Sequence, residues 1–153
     1  MDRTTKKALE DVLSDREIID DIEKNTNGEL LVLEGIFYAE IAKIRITERH
    51  LDGEQFMRYY HIYKGGDNPD EKPKIFWSKE LKSWVLSDGN TKMYAAYATQ
   101  KSHVPVLFEL DEKIKEKCTL AAKRLETIGL KYTSQRFPEE LKWSGDIRNQ
   151  PYI

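Results

Sequence analysis

The stretch KIFWSKELKSWVLSDGNTKMYAAYA, residues 74–98, constrains the fold more than any other part of the chain. It carries Trp77 and Trp84 on either side of a short polar loop. A two-residue loop at Glu80 and Leu81 sets Lys79 opposite Lys82, a like-charge pair that a four-residue loop from Lys79 to Lys82 avoids. Both registers put Trp77 opposite Trp84 and Ile75 opposite Leu86. DGNT then reads as a second turn. With Gly89 and Asn90 as its loop, Leu86 faces Met93 and Trp84 faces Ala95. One face of this meander holds Ile75, Trp77, Trp84, Leu86, Met93, Ala95 and Tyr97. The other holds Phe76, Val85, Tyr94, Ala96 and Ala98. Both are apolar, so either both are covered or one is a recognition surface.

The flanking sequence extends this pattern into an expected α+β architecture. Residues 4–24 read as helix, with apolar stripes at Leu9, Val12 and Leu13 and at Ile18, Ile19 and Ile22. Ser14 and Glu17 have capping-box spacing and predict a break there. NTNG ends the second helix, with Gly28 as a left-handed cap. Residues 29–110 read as an antiparallel β-meander of about six to seven strands. In it Ala42, Ile44 and Ile46 alternate with Lys43, Arg45 and Thr47. HLDGEQ is read as a turn and FMRYYHIYKGG as a strand, with Tyr60 and Ile62 on one face and Tyr59, His61 and Tyr63 on the other. Pro105 places the VPVLFEL strand at an edge or starts it outside the ladder. Residues 111–128 form one long C-terminal helix, with Ile114, Cys118, Ala121, Ala122, Leu125 and Ile128 on one face, Asp111 as its cap and Gly129 at its end. Residues 129–153 read as an irregular tail that packs back through Tyr132, Phe137, Trp143 and Tyr152. The whole, 1–153, reads as one α+β domain with the N-terminal and C-terminal helices packed on the sheet.

Charge and composition bound the function. Lysine and arginine total 25 against 27 acidic residues, a net charge of -2. That balance gives no basic excess for gripping duplex phosphates. The single cysteine, Cys118, allows no disulfide within the chain. The opening MDRTTKKALEDVLSD has no apolar signal-peptide core, and no apolar run is long enough to span a bilayer. These features set the expectation of an intracellular protein, cytoplasmic or nuclear.

No P-loop, dinucleotide fingerprint or G-x-S-x-G occurs in the chain. His50, His61 and His103 form no metal-ligand pairing, and Cys118 falls on an apolar helix stripe rather than in a positive, exposed setting. GGDNPDE carries only a fragment of a calcium loop. No catalytic residue, cofactor or metal is therefore assigned. The leading expectation is a non-catalytic binding module that meets a protein partner or small ligand through an aromatic sheet face. That face is built from Trp77, Trp84, Tyr94 and Tyr97, with Tyr59, His61 and Tyr63 on the neighbouring strand. The same face could instead join two copies of the chain, and the tail GDIRNQPYI could be a partner-binding peptide. A second expectation is an enzyme with a pocket between a curved sheet and the helix, centred on His61 with Asp52 or Glu40. A third is single-stranded nucleic-acid binding through Arg58, Tyr59, His61, Tyr63 and Lys64, with Lys74, Phe76, Lys92 and Tyr94.

Overall fold

A computed structural model describes residues 1–143. Two short helices open the chain, α1 at Arg3–Val12 and α2 at Arg16–Asn25. The break between them is where the capping pattern predicts it, but Asp15 rather than Ser14 is the cap, accepting from the Glu17 and Ile18 amides. The strands β1 (Leu30–Leu33) and β2 (Ile36–Glu40) form a hairpin, and the short strands β3 (Ile44–Arg45) and β4 (Leu51–Asp52) follow. Helix α3 spans Gly53–Lys64. The tryptophan hairpin is β5 (Lys74–Ser78) and β6 (Ser83–Asp88). Helix α4 (Asn90–Ala98), strand β7 (His103–Phe108) and helix α5 (Glu112–Glu126) come next, with a final short strand β8 at Leu141–Lys142.

The main sheet has six strands in the order β1-β2-β7-β5-β6-β3, and it is mixed. β7 pairs parallel with β5 and β3 parallel with β6, while the remaining pairs are antiparallel. β4 and β8 form a separate parallel pair. This overturns the antiparallel meander with one long C-terminal helix. The segments 56–66 and 92–98, read as strands, fall on α3 with the turn after it and on α4, and α4 carries the chain from β6 to β7 on the far side of β5. β6 and β7 run antiparallel with β5 between them, so β7 lies beside β5 in the same direction, a placement that a tight turn from β6 cannot give.

The reading of the tryptophan hairpin is half corrected. Trp77 does pair with Trp84 and Ile75 with Leu86, across a loop of residues 79–82. The pairings of Leu86 with Met93 and Trp84 with Ala95 do not exist, because Met93 and Ala95 lie on α4. Pro105 is also misplaced by the edge reading. It sits inside β7, between β2 and β5. The β7 amides that face β5 begin at Leu107, which donates to Pro73 O at 2.9 Å. Pro105 comes before that pairing starts, so its missing N–H removes no ladder bond.

Alternation along the strands divides the apolar residues between two layers. Ile75, Trp77, Trp84, Leu86, Ala39, Val104 and Val106 face a large cluster completed by α1, α2, α3 and α4 through Leu9, Ile22, Phe56, Met57 and Met93. Phe76 and Val85 face the other way, against Cys118 and Ala122 of α5. Arg45 on the same side reaches Glu126 at the end of α5, at 2.8 Å. No helix among the described residues is long and apolar enough to cross a membrane.

Candidate functional site

The predicted aromatic residues are dispersed. Trp77, Trp84, Tyr63 and Tyr94 are buried in the main cluster, with Trp84 only 1% exposed. The two indoles meet edge to face at 5.3 Å between centroids. Burial raises the pKa of the Tyr63 and Tyr94 hydroxyls and keeps them protonated. Tyr97 and His61 are exposed on different helices, and His61 packs only edge-on against Tyr60. Asp52 caps the start of α3 by accepting from the Glu54 and Gln55 amides, whereas His61 lies near that helix's other end. Tyr59, half-buried, lines a groove. The GDIRNQPYI tail, with Tyr152 and Ile153, lies outside the described residues.

The groove at Tyr59 contains the most unusual local chemistry in the fold. It encloses about 270 Å³ between α3, the loop that follows it and the start of α4. Its floor is the turn from β6 into α4. Gly89 holds a φ of +99°, and a Cβ there would lie 3.0 Å from both Cα and Cβ of Pro73. Glycine is therefore required by conformation and by space. Because glycine is the cap, no side chain satisfies the first amides of α4. The first recorded helical bond is Met93 N–H to Gly89 O at 2.9 Å. The amides of Asn90, Thr91 and Lys92 precede it, at the positive end of the helix.

Lys92 sits in this first turn and is only 6% exposed. Its ammonium makes no hydrogen bond among the described residues. Its one acidic neighbour is Glu71, 3.8 Å away, whose side chain is 91% exposed. It also lies 5.3 Å from the centroid of the Tyr59 ring, a cation–π distance. The Lys92 stem is buried, while its Nζ reaches solvent in the groove. The groove thus sets a cation on a buried stem beside uncapped helix amides. Glu48, Glu71 and Asp88, all exposed, stand at its rim.

A rigid frame holds this arrangement. Asn90 is buried and its Oδ1 accepts from the Thr47 amide at 3.0 Å and the Glu48 amide at 3.3 Å, while its Nδ2 donates to Thr47 Oγ1 at 2.9 Å. The Arg136 guanidinium donates to Arg49 O at 2.7 Å, to Glu48 O and to Asn90 Oδ1 at 3.3 Å. Burial draws its pKa down to about 10, against the pull of Glu140 and Glu48. Asn90 and Arg136 are thus positioning residues that fix the 47–49 segment against the start of α4.

Along the sequence Lys92 falls with Lys74, Phe76 and Tyr94 in the single-stranded nucleic-acid reading, and Gly89 and Asn90 read as a hairpin turn. The available signal was compositional. Met93, Ala95, Ala96 and Ala98 are good helix formers, so DGN followed by this run also reads as a strand-to-helix turn. No protein family matches the chain, and neither a curated protein nor a solved structure matches it.

Proposed function

We propose that the chain is a binding module for a small anionic ligand, seated at the start of α4 rather than on the tryptophan face. A phosphate or carboxylate group would accept from the Asn90, Thr91 and Lys92 amides and from the Lys92 ammonium. Tyr59 would offer its ring edge or face to the rest of the molecule. The observation that carries this reading is the Lys92 ammonium, held on a buried stem with no hydrogen-bond acceptor among the described residues, beside an uncapped helix N-terminus. The rim carboxylates repel a bare polyanion. They favour a ligand of low charge or a phosphate accompanied by a divalent cation.

Calorimetric titration with inorganic pyrophosphate, with and without magnesium, tests this. Saturable binding that weakens about tenfold or more in Lys92→Met, with an unchanged melting temperature, is the expected result. Equal binding by wild type and Lys92→Met sinks the reading.

A further inference from the structure

The main sheet has two edges, and the fold treats them differently. At β3 the returning chain covers the edge: Ile46 donates to Lys131 O at 3.1 Å and Arg45 bridges Tyr132. At the other end β1 pairs only with β2 among the described residues. Its register shows which groups are open. Glu40 N–H donates to Glu29 O at 2.8 Å, so position 29 faces β2, and positions 31 and 33 follow by alternation. The hairpin turn agrees, with φ of 51° at Glu34 and 77° at Gly35 between the paired Leu33 and Ile36. Leu30 and Val32 therefore aim their N–H and C=O groups away from the sheet; Leu30 is only 4% exposed, with α1 packed against β1, so Val32 is the open position.

The Leu30–Leu33 segment has none of the lysines, prolines or bulges that usually blunt such an edge. Among the described residues no helix covers the adjoining outer face, because α5 lies over β5 and β6 instead. Leu33, Ile36 and Leu107 on that side are 58%, 37% and 48% exposed. Acidic residues frame the strand, Glu29 before it and Glu34 after it, and Glu40 lies beside Glu29. Burial raises the Glu29 pKa, with Lys43 lowering it and Glu40 raising it further.

We propose that β1 receives an extended segment of a partner protein as an added antiparallel strand, apolar opposite Leu31 and Leu33 and basic opposite Glu29 and Glu34. Charge complementarity selects this occupant over a second copy. Pairing β1 with itself so that Leu30 meets Val32 sets Glu29 against Leu33 and Glu34 against Gly28, leaving both carboxylates without a cation. A strand this short also buries much less than the roughly 1,200 Å² or more of a stable dimer.

The probe is the peptide acetyl-Lys-Val-Thr-Val-Thr-Lys-amide, followed by amide hydrogen exchange on the full chain. Binding is expected to slow exchange at Val32 about tenfold or more. Replacing both peptide lysines by glutamate, or making Leu33→Lys in the protein, should weaken binding about tenfold. Leu33 is mostly exposed, so an unchanged melting temperature for that variant separates lost binding from lost folding. Four results would overturn the proposal: no slowing at millimolar probe, equal binding of the glutamate peptide, protection that grows with protein concentration alone, or protection already complete in the free monomer. None depends on the groove at Lys92.

Discussion

The Trp77 indole N–H donates to Asp21 Oδ2 at 2.6 Å, tying the tryptophan hairpin to α2. Lys82 donates to the other carboxylate oxygen at 2.6 Å, so one side chain of α2 holds β5 and the hairpin loop. Asp21→Asn keeps the shape but loses the charge on these bonds. It should destabilise the fold by about 1–3 kcal/mol, measured by urea denaturation.

The same carboxylate gives a pH dependence. Burial raises the Asp21 pKa, but the Lys82 and Trp77 hydrogen bonds outweigh burial and hold it below the ordinary aspartate value. A lowered folded-state pKa contributes stability that is complete above the unfolded value and lost as pH falls through the folded one. Wild type should therefore lose stability relative to Asp21→Asn below about pH 4, so that the gap between them closes. A gap that stays constant from neutral pH to pH 2 would contradict the assigned bonds.

The tryptophan pair reads as core. In Trp143→Phe, which removes the half-buried third indole, acrylamide should quench the remaining fluorescence several-fold less steeply than it quenches free tryptophan. Trp84→Ala should cost about 3–5 kcal/mol, as expected for a large side chain deleted from a packed interior. Steep quenching in the folded state would place the indoles at the surface.

Gly89→Ala tests the turn that shapes the groove. A left-handed φ and the 3.0 Å approach to Pro73 both oppose a Cβ. Destabilisation of about 1–3 kcal/mol is expected by thermal melting. Stability equal to wild type would mean that the turn can take another form.

Cys118 is buried against the underside of β6, and burial, followed by the nearby Glu109 carboxylate, pushes its thiol pKa up. Labelling by a thiol reagent at pH 8 should be slow in the native protein and rapid in denaturant. Rapid native labelling would show that α5 does not stay docked.

Much of this fold could be read along the chain where local chemistry and packing agree. The break between α1 and α2, the facing of Trp77 and Trp84 and the span of α5 from its Asp111 cap all follow from caps and alternation. The sheet topology could not be read, because α3 and α4 imitate strands. RYYHIY is rich in aromatic residues that favour sheets, yet Asp52 caps a helix and Phe56, Met57 and Tyr63 are buried at helical spacing. Asp52 with Gln55 three residues later is a helix-start signal, but the Asp-Gly pair within it reads equally as a turn. In α4 the core closes around Lys92 through Ala96, all buried, so no polar stripe reveals the helical period. The groove was hidden for the same reason. Its parts, Tyr59, Glu71, Gly89 and Lys92, are far apart in sequence and meet only when α3 packs on α4.

The start of α4 is where the proposed ligand would bind. A nitrogen-15 amide spectrum of the protein titrated with inorganic pyrophosphate and magnesium reports on it directly. The predicted result is saturable shifts concentrated at the Asn90, Thr91 and Lys92 amides, lost in Lys92→Met. Shifts that never saturate, or that spread over surface lysines while those three amides stay fixed, would contradict it.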